Sequence, residues 1–168
     1  MTASGLVGAV IFGLLSAYFP PLNAEIYAVA APVIFPEMWA LHVSAMTGGL
    51  VVGKVTHFLA AAKGAEAYSR RRHDKGDRAE IRSRRGPVRR RLARWSRTMI
   101  DLLDRPRLSA LVMLASAGIG FPPLAVVTVA AGLKRVPIAS FVVITTIGCL
   151  ARFLVTAWLV AEGLDLRW

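Results

Sequence analysis

The sequence predicts an all-α, polytopic integral membrane protein, built as an inverted repeat of a proline-broken, re-entrant helical hairpin followed by one long transmembrane helix. Three observations carry this expectation. The chain of 168 residues is 55% hydrophobic, above the roughly 45–50% of soluble domains, and its mean hydropathy is +0.54. Its apolar residues fall into six runs bounded by Pro, Gly or charge. The motif Phe19-Pro20-Pro21-Leu22 recurs as Phe121-Pro122-Pro123-Leu124.

The runs cover roughly 4–19, 22–35, 38–63, 99–118, 121–134 and 137–161. At 1.5 Å per residue the third and sixth reach about 36–39 Å, enough for a ~30 Å hydrocarbon core with some tilt. The second and fifth reach only about 21 Å, and apolar segments of that length more often re-enter a membrane or lie buried in protein than span it. Each short run follows a double proline, Pro20-Pro21 or Pro122-Pro123, that a continuous helix does not tolerate. The expected organisation is a first membrane repeat over 1–66 (hairpin 4–35, span 38–63), an arginine-rich insert over 67–98, and a second membrane repeat over 99–168 (hairpin 99–134, span 137–161).

Both copies of the motif lead into a short helix, a proline (Pro36, Pro137) and a long helix carrying a mid-span glycine and a cation, Gly53-Lys54 in one and Gly148 with Arg152 in the other. Repeated halves with interrupted helices in matching places are the pattern of transporter folds.

The formal charge of +11 is unevenly spread. Thirteen of the 21 Lys and Arg lie between Arg70 and Arg97 beside three acids, Asp74, Asp77 and Glu80, so this segment carries +10 and the rest of the chain +1. The positive-inside rule places the insert in the cytoplasm. The expected location is the cell (cytoplasmic) membrane, multi-pass, with the basic loop cytoplasmic and both termini outside. The N-terminus lacks a basic n-region, so the first apolar run is expected to be retained rather than cleaved.

The insert has the charge density to hold phosphates, but from Ser69 onward Trp95 is the one aromatic among its arginines, and it is tethered to apolar helices at both ends. Anionic lipid headgroups fit it better than nucleic acid, for which no partner role is expected. A bare topology signal is equally open, and from Val88 onward Leu92, Trp95, Met99, Leu102 and Leu103 fall at amphipathic helical spacing. A lone Cys149 excludes intramolecular disulfides and cysteine-rich metal sites. Hydrolase, metalloprotease and phosphate-loop motifs are missing from the sequence, and neither catalysis nor a cofactor is expected.

Ionisable residues within apolar runs mark candidate sites. Glu25 follows Pro21 in the first hairpin. Lys54 is about 14 Å from the cytoplasmic end of its span and Arg152 about 14 Å from the outer end of its own. These depths converge near mid-membrane, where one carboxylate against two cations leaves a net positive charge suited to an anionic group. Two alternatives stay open: Glu25 pairs with Lys54 or Arg152 merely to hold the halves in register, or it exchanges a proton as its partner moves. His57 shares the face of Lys54, with packing or snorkelling as the competing reading.

The hairpin Phe19-Pro20-Pro21-Leu22-Asn23-Ala24-Glu25, the segment Gly48-Gly49-Leu50-Val51-Val52-Gly53-Lys54, and Gly148-Cys149-Leu150-Ala151-Arg152-Phe153 resemble the DedA superfamily, also called the SNARE-associated or VTT domain family, in its short YqaA-like branch. The resemblance covers roughly 5–66 and 105–161 and excludes the insert. It implies two opposed re-entrant hairpins and lipid work, either ion-coupled return of a phosphorylated polyprenyl carrier or phospholipid scrambling. It assigns Glu25 to the acid of the first hairpin, Arg152 to the arginine of the last helix, and Arg105 and Arg107, flanking Pro106, to basic residues ahead of the second hairpin. This chain departs by having Leu22-Asn23-Ala24 where a proline-glycine usually precedes the acid, and by lacking an acid in its second hairpin. The expected function is a transporter or scramblase of anionic lipid. The alternatives are a small-solute or drug exporter and a membrane scaffold with a lipid-binding loop. Two short hairpins leave polar backbone to cover, and a homodimer is one way to cover it.

Overall fold

A computed structural model describes the backbone of residues 3–19, 22–74, 106–121 and 123–165, and the side chains of 4–19, 22–66, 109–121 and 123–163. Among these residues it is all-helical, without strands: α1 (Ala3–Tyr18), α2 (Ala24–Ile34), α3 (Trp39–Asp74), α4 (Pro106–Gly118), α5 (Leu124–Leu133) and α6 (Ile138–Asp165). The insert from 75 to 105, including Arg105, lies outside the described residues, as do Pro20, Pro21 and Pro122.

Two segments are long and apolar enough to cross a membrane: Trp39–Glu66 of α3, 28 residues with mean hydropathy 1.2, and Ile138–Gly163 of α6, 26 residues with mean hydropathy 2.1. The other four helices have 10 to 16 residues, about 15–24 Å, which falls short of a ~30 Å core. Helix α3 extends beyond the expected end at residue 63 because Ala65-Glu66-Ala67 and the arginines after them favour helix although they are not apolar.

Helix α1 runs parallel to α3, with Gly5 beside His42 at one end and Ala17 beside Gly53 near the other. Both Gly13 and Gly49 sit where a Cβ would run into the opposite backbone, at Met46 O and Val10 O respectively, so glycine sets how near the two helices come. Helix α4 follows α6 in the same way, with Gly148 against Ala117 and Gly118. The short helices α2 and α5 cross over instead. Ala24, Ala28 and Ala31 of α2 form one apolar cluster with Cys149, Phe153 and Ala157 of α6 and with Val43 and Met46 of α3. Gly132 of α5 lies on the Phe58 carbonyl of α3.

Helices α3 and α6 are antiparallel. Phe58 of α3 stacks on Phe141 near the start of α6, with ring centroids 4.8 Å apart. At that end Arg135 pairs with Glu66 at 3.3 Å. The α1–α2 hairpin therefore begins and ends beside the start of α3, and the α4–α5 hairpin runs back to the start of α6 at the opposite end. Buried threonines of the long and short helices, Thr47 and Thr128, donate to carbonyls of their own helices at 2.7 Å, which satisfies hydroxyls in an apolar setting.

Candidate functional site

The first hairpin turns where Phe19 N–H closes on Leu15 O at 2.9 Å and Leu22 N–H on Phe19 O at 2.9 Å. Asn23 then caps α2, its side-chain oxygen accepting from the Glu25 N–H at 3.0 Å. The alanine face of α2 is seated against α6, and Glu25, one position off that face, reaches Arg152. The Glu25 carboxylate and the Arg152 guanidinium form an ion pair. It is not sealed: the side chains are 44% and 27% exposed.

The second hairpin turns differently. Ile119 N–H bonds to Ala115 O at 2.8 Å and Gly120 N–H to Ser116 O at 3.1 Å, and Gly120 has a φ of +85°, which glycine adopts without penalty. A Cβ at Gly120 would lie 2.8 Å from the Arg152 Cζ. The guanidinium thus rests on the bare backbone of the second hairpin's tip while it pairs with the acid of the first. Pro123 then starts α5 with no side-chain cap. Arg152 is the point at which both tips meet, near the middle of α6.

Lys54 lies near the middle of α3 and is 8% exposed, facing α6 within electrostatic reach of the Cys149 thiol. The ion pairs among the described residues are Glu25–Arg152 and Glu66–Arg135, and neither includes Lys54. Of the two partners expected for Glu25, the structure selects Arg152. His57, one turn beyond Lys54, meets Tyr18 ring to ring rather than joining Glu25. Arg107 lies in the first turn of α4, the chain's described start of that helix, away from the described side-chain set. Of the hairpin breakers, Pro123 is described and stands at the start of α5.

Asn23 and Gly120 contribute to the site without standing out as site residues in the sequence. Asn23 carried the ordinary N-cap signal, an amide just ahead of a helix. Gly120 is one of 14 glycines, with nothing in composition to distinguish it. His42 is 3% exposed, with its Nδ1 3.2 Å from the Tyr27 hydroxyl and its ring stacked on Phe35 at 3.8 Å. These contacts make it a satisfied histidine at the start of α3.

Along α2, Ile26, Val29, Ala30, Val33 and Ile34 form an open apolar face that ends at Asn23 and Glu25. The charged pair therefore borders an apolar surface. Among the described residues no group of His, Cys, Asp and Glu is arranged to hold a metal ion. Compared with protein-family models, curated proteins and solved structures, the chain matches none.

Proposed function

We propose that this chain is a DedA-like membrane transporter or scramblase of anionic lipid, with two re-entrant hairpins entering from opposite faces as an inverted repeat. The observation that carries this reading is the Glu25–Arg152 pair, held between the two hairpin tips and bordered by the exposed apolar face of α2. A charged pair near the middle of an apolar span is costly, and such pairs mark candidate sites for polar cargo. The open apolar face of α2 beside the pair suits a cargo that keeps its apolar part in the bilayer while its head reaches the pair.

Membrane residence is supported by the side chains on the outside of the bundle. Val143, Ile147, Val155, Trp158 and Leu159 of α6 are exposed, as are Ile26, Val33 and Ile34 of α2. A bilayer covers such a surface, which water would not. The parallel roles of the halves support the repeat: each hairpin lies along the long helix that follows it, and each short second helix crosses to the other half.

In this reading Glu25 holds Arg152 in the resting state, and an anionic headgroup displaces the carboxylate to form charge-assisted hydrogen bonds with the guanidinium. Lys54 adds a point charge alongside. Flux of a fluorescent anionic phospholipid across proteoliposomes is expected to fall roughly tenfold or more, about 1.4 kcal/mol in barrier, in Glu25→Ala and in Arg152→Ala. Unchanged flux in both variants overturns the reading.

A further inference from the structure

A second polar cluster stands apart from the Glu25–Arg152 pair, at the point where the end of α1 meets α3. Thr56 donates to the Gly53 carbonyl at 2.7 Å. Its single proton is thereby used, so the Tyr18 hydroxyl is the donor in the hydrogen bond that joins Tyr18 and Thr56. The Tyr18 and His57 rings meet edge to face, centroids 4.7 Å apart at 69°. Tyr18 is 46% exposed, Thr56 is exposed and His57 is half-buried. All three therefore present polar atoms at the surface of the bundle.

Their depth makes this informative. Thr56 and His57 lie about 14 Å along α3 from Glu66, the end at which Arg135 pairs. A span of 28 residues is about 42 Å long, so this position falls inside a ~30 Å hydrocarbon core. Acyl chains offer no hydrogen-bond partner to the His57 imidazole edge or to the remaining lone pair of the Tyr18 hydroxyl, so hydrocarbon is an unfavourable surrounding for both. Water in a recess removes that disadvantage. Lys54 sits one turn deeper on the same helix, and an anionic group drawn into the recess approaches its charge.

We infer that Tyr18, Thr56 and His57 form a second headgroup station, a hydrated recess open from the Glu66–Arg135 end, that receives a lipid phosphate before it reaches Lys54 and Arg152. The inference rests on the lipid-transport reading. Its chemistry is that of a phosphate group accepting a hydrogen bond from the His57 imidazole, and a second from the Tyr18 hydroxyl once that hydroxyl turns away from Thr56.

The single native cysteine makes a direct test available. In a Cys149→Ala background, Thr56→Cys and His57→Cys are labelled with a membrane-impermeant maleimide, on intact cells and on inside-out vesicles. His57→Cys leaves the Tyr18–Thr56 bond in place. Val143→Cys is the comparison: it is exposed on α6 and level with His57, since Phe58 stacks on Phe141. Both station positions are expected to react roughly tenfold faster than Val143→Cys, from the face that carries the basic insert, because lipid excludes the reagent. Equal rates at all three positions overturn the recess. Dihexanoyl phosphatidic acid is expected to slow labelling of Thr56→Cys, and inorganic phosphate at equal concentration is not. No protection by the lipid overturns the headgroup role, and equal protection by phosphate overturns the lipid as its source. Lipid flux by the wild-type chain is read in the same vesicles, so a missing transport activity and a missing station give separate results.

Discussion

Arg152 pairs with Glu25 across the bundle, and so joins the last helix to the tip of the first hairpin, while Gly120 places the tip of the second hairpin beneath the same guanidinium. Three segments far apart in sequence depend on one side chain. Neither tip holds the arginine alone, since one supplies charge and the other supplies space.

Gly120→Ala tests that shared dependence. Its φ of +85° disfavours any side chain, and the new Cβ would meet the guanidinium. The backbone cost is about 1–2 kcal/mol. Arginine is flexible and can move aside, so the larger effect is on its pairing with Glu25. The expected outcome is a modest drop in thermal stability in detergent together with loss of lipid flux. Gly64→Ala, at an open helical position, leaves both unchanged.

Close approach of α1 and α3 is a separate property. Gly13→Ala and Gly49→Ala each drive a methyl into a backbone carbonyl of the opposite helix, and backbone cannot yield as a side chain does. Each is expected to destabilise the fold by about 1–3 kcal/mol. Gly8→Ala and Gly48→Ala, which face open space, stay within about 0.5 kcal/mol of the parent. Thermal melts of the four variants in one detergent check the contrast.

Lys54→Met separates function from stability. The lysine is buried, and neither ion pair among the described residues includes it. Replacing a buried cation by an apolar side chain of similar length removes a desolvation cost. Melting temperature is expected to rise while flux of anionic lipid falls roughly tenfold. A variant that loses stability instead marks Lys54 as a structural residue.

The sequence made the six helices and the two long spans legible because apolar length and proline placement are local signals. Glu25 and Arg152 were legible for the same reason, as charge inside an apolar run stands out. Which cation Glu25 would choose was not, because Lys54 and Arg152 carry equal charge and only the seating of α2 on α6 decides between them. Tyr18 and Thr56 carry no signal in the sequence because both are ordinary residues in apolar helices, and what distinguishes them is exposure on the assembled bundle. His57 stands out in the sequence as sharing the face of Lys54, but its contact with Tyr18 depends on how α1 packs against α3. Pro20, Pro21, Pro122 and Arg105, with the basic insert, lie outside the described residues, so their expected roles rest on sequence alone.

The two hairpin tips meet at Arg152, and the proposed function requires that meeting point to lie halfway through a bilayer. The most direct measurement is depth-dependent quenching of probes attached at Leu22 and Phe121, which flank the two tips, in proteoliposomes with quenchers at known positions along the lipid. Both probes are expected in the central third of the ~30 Å hydrocarbon core. Probes that report from the headgroup region, at either tip, contradict the account.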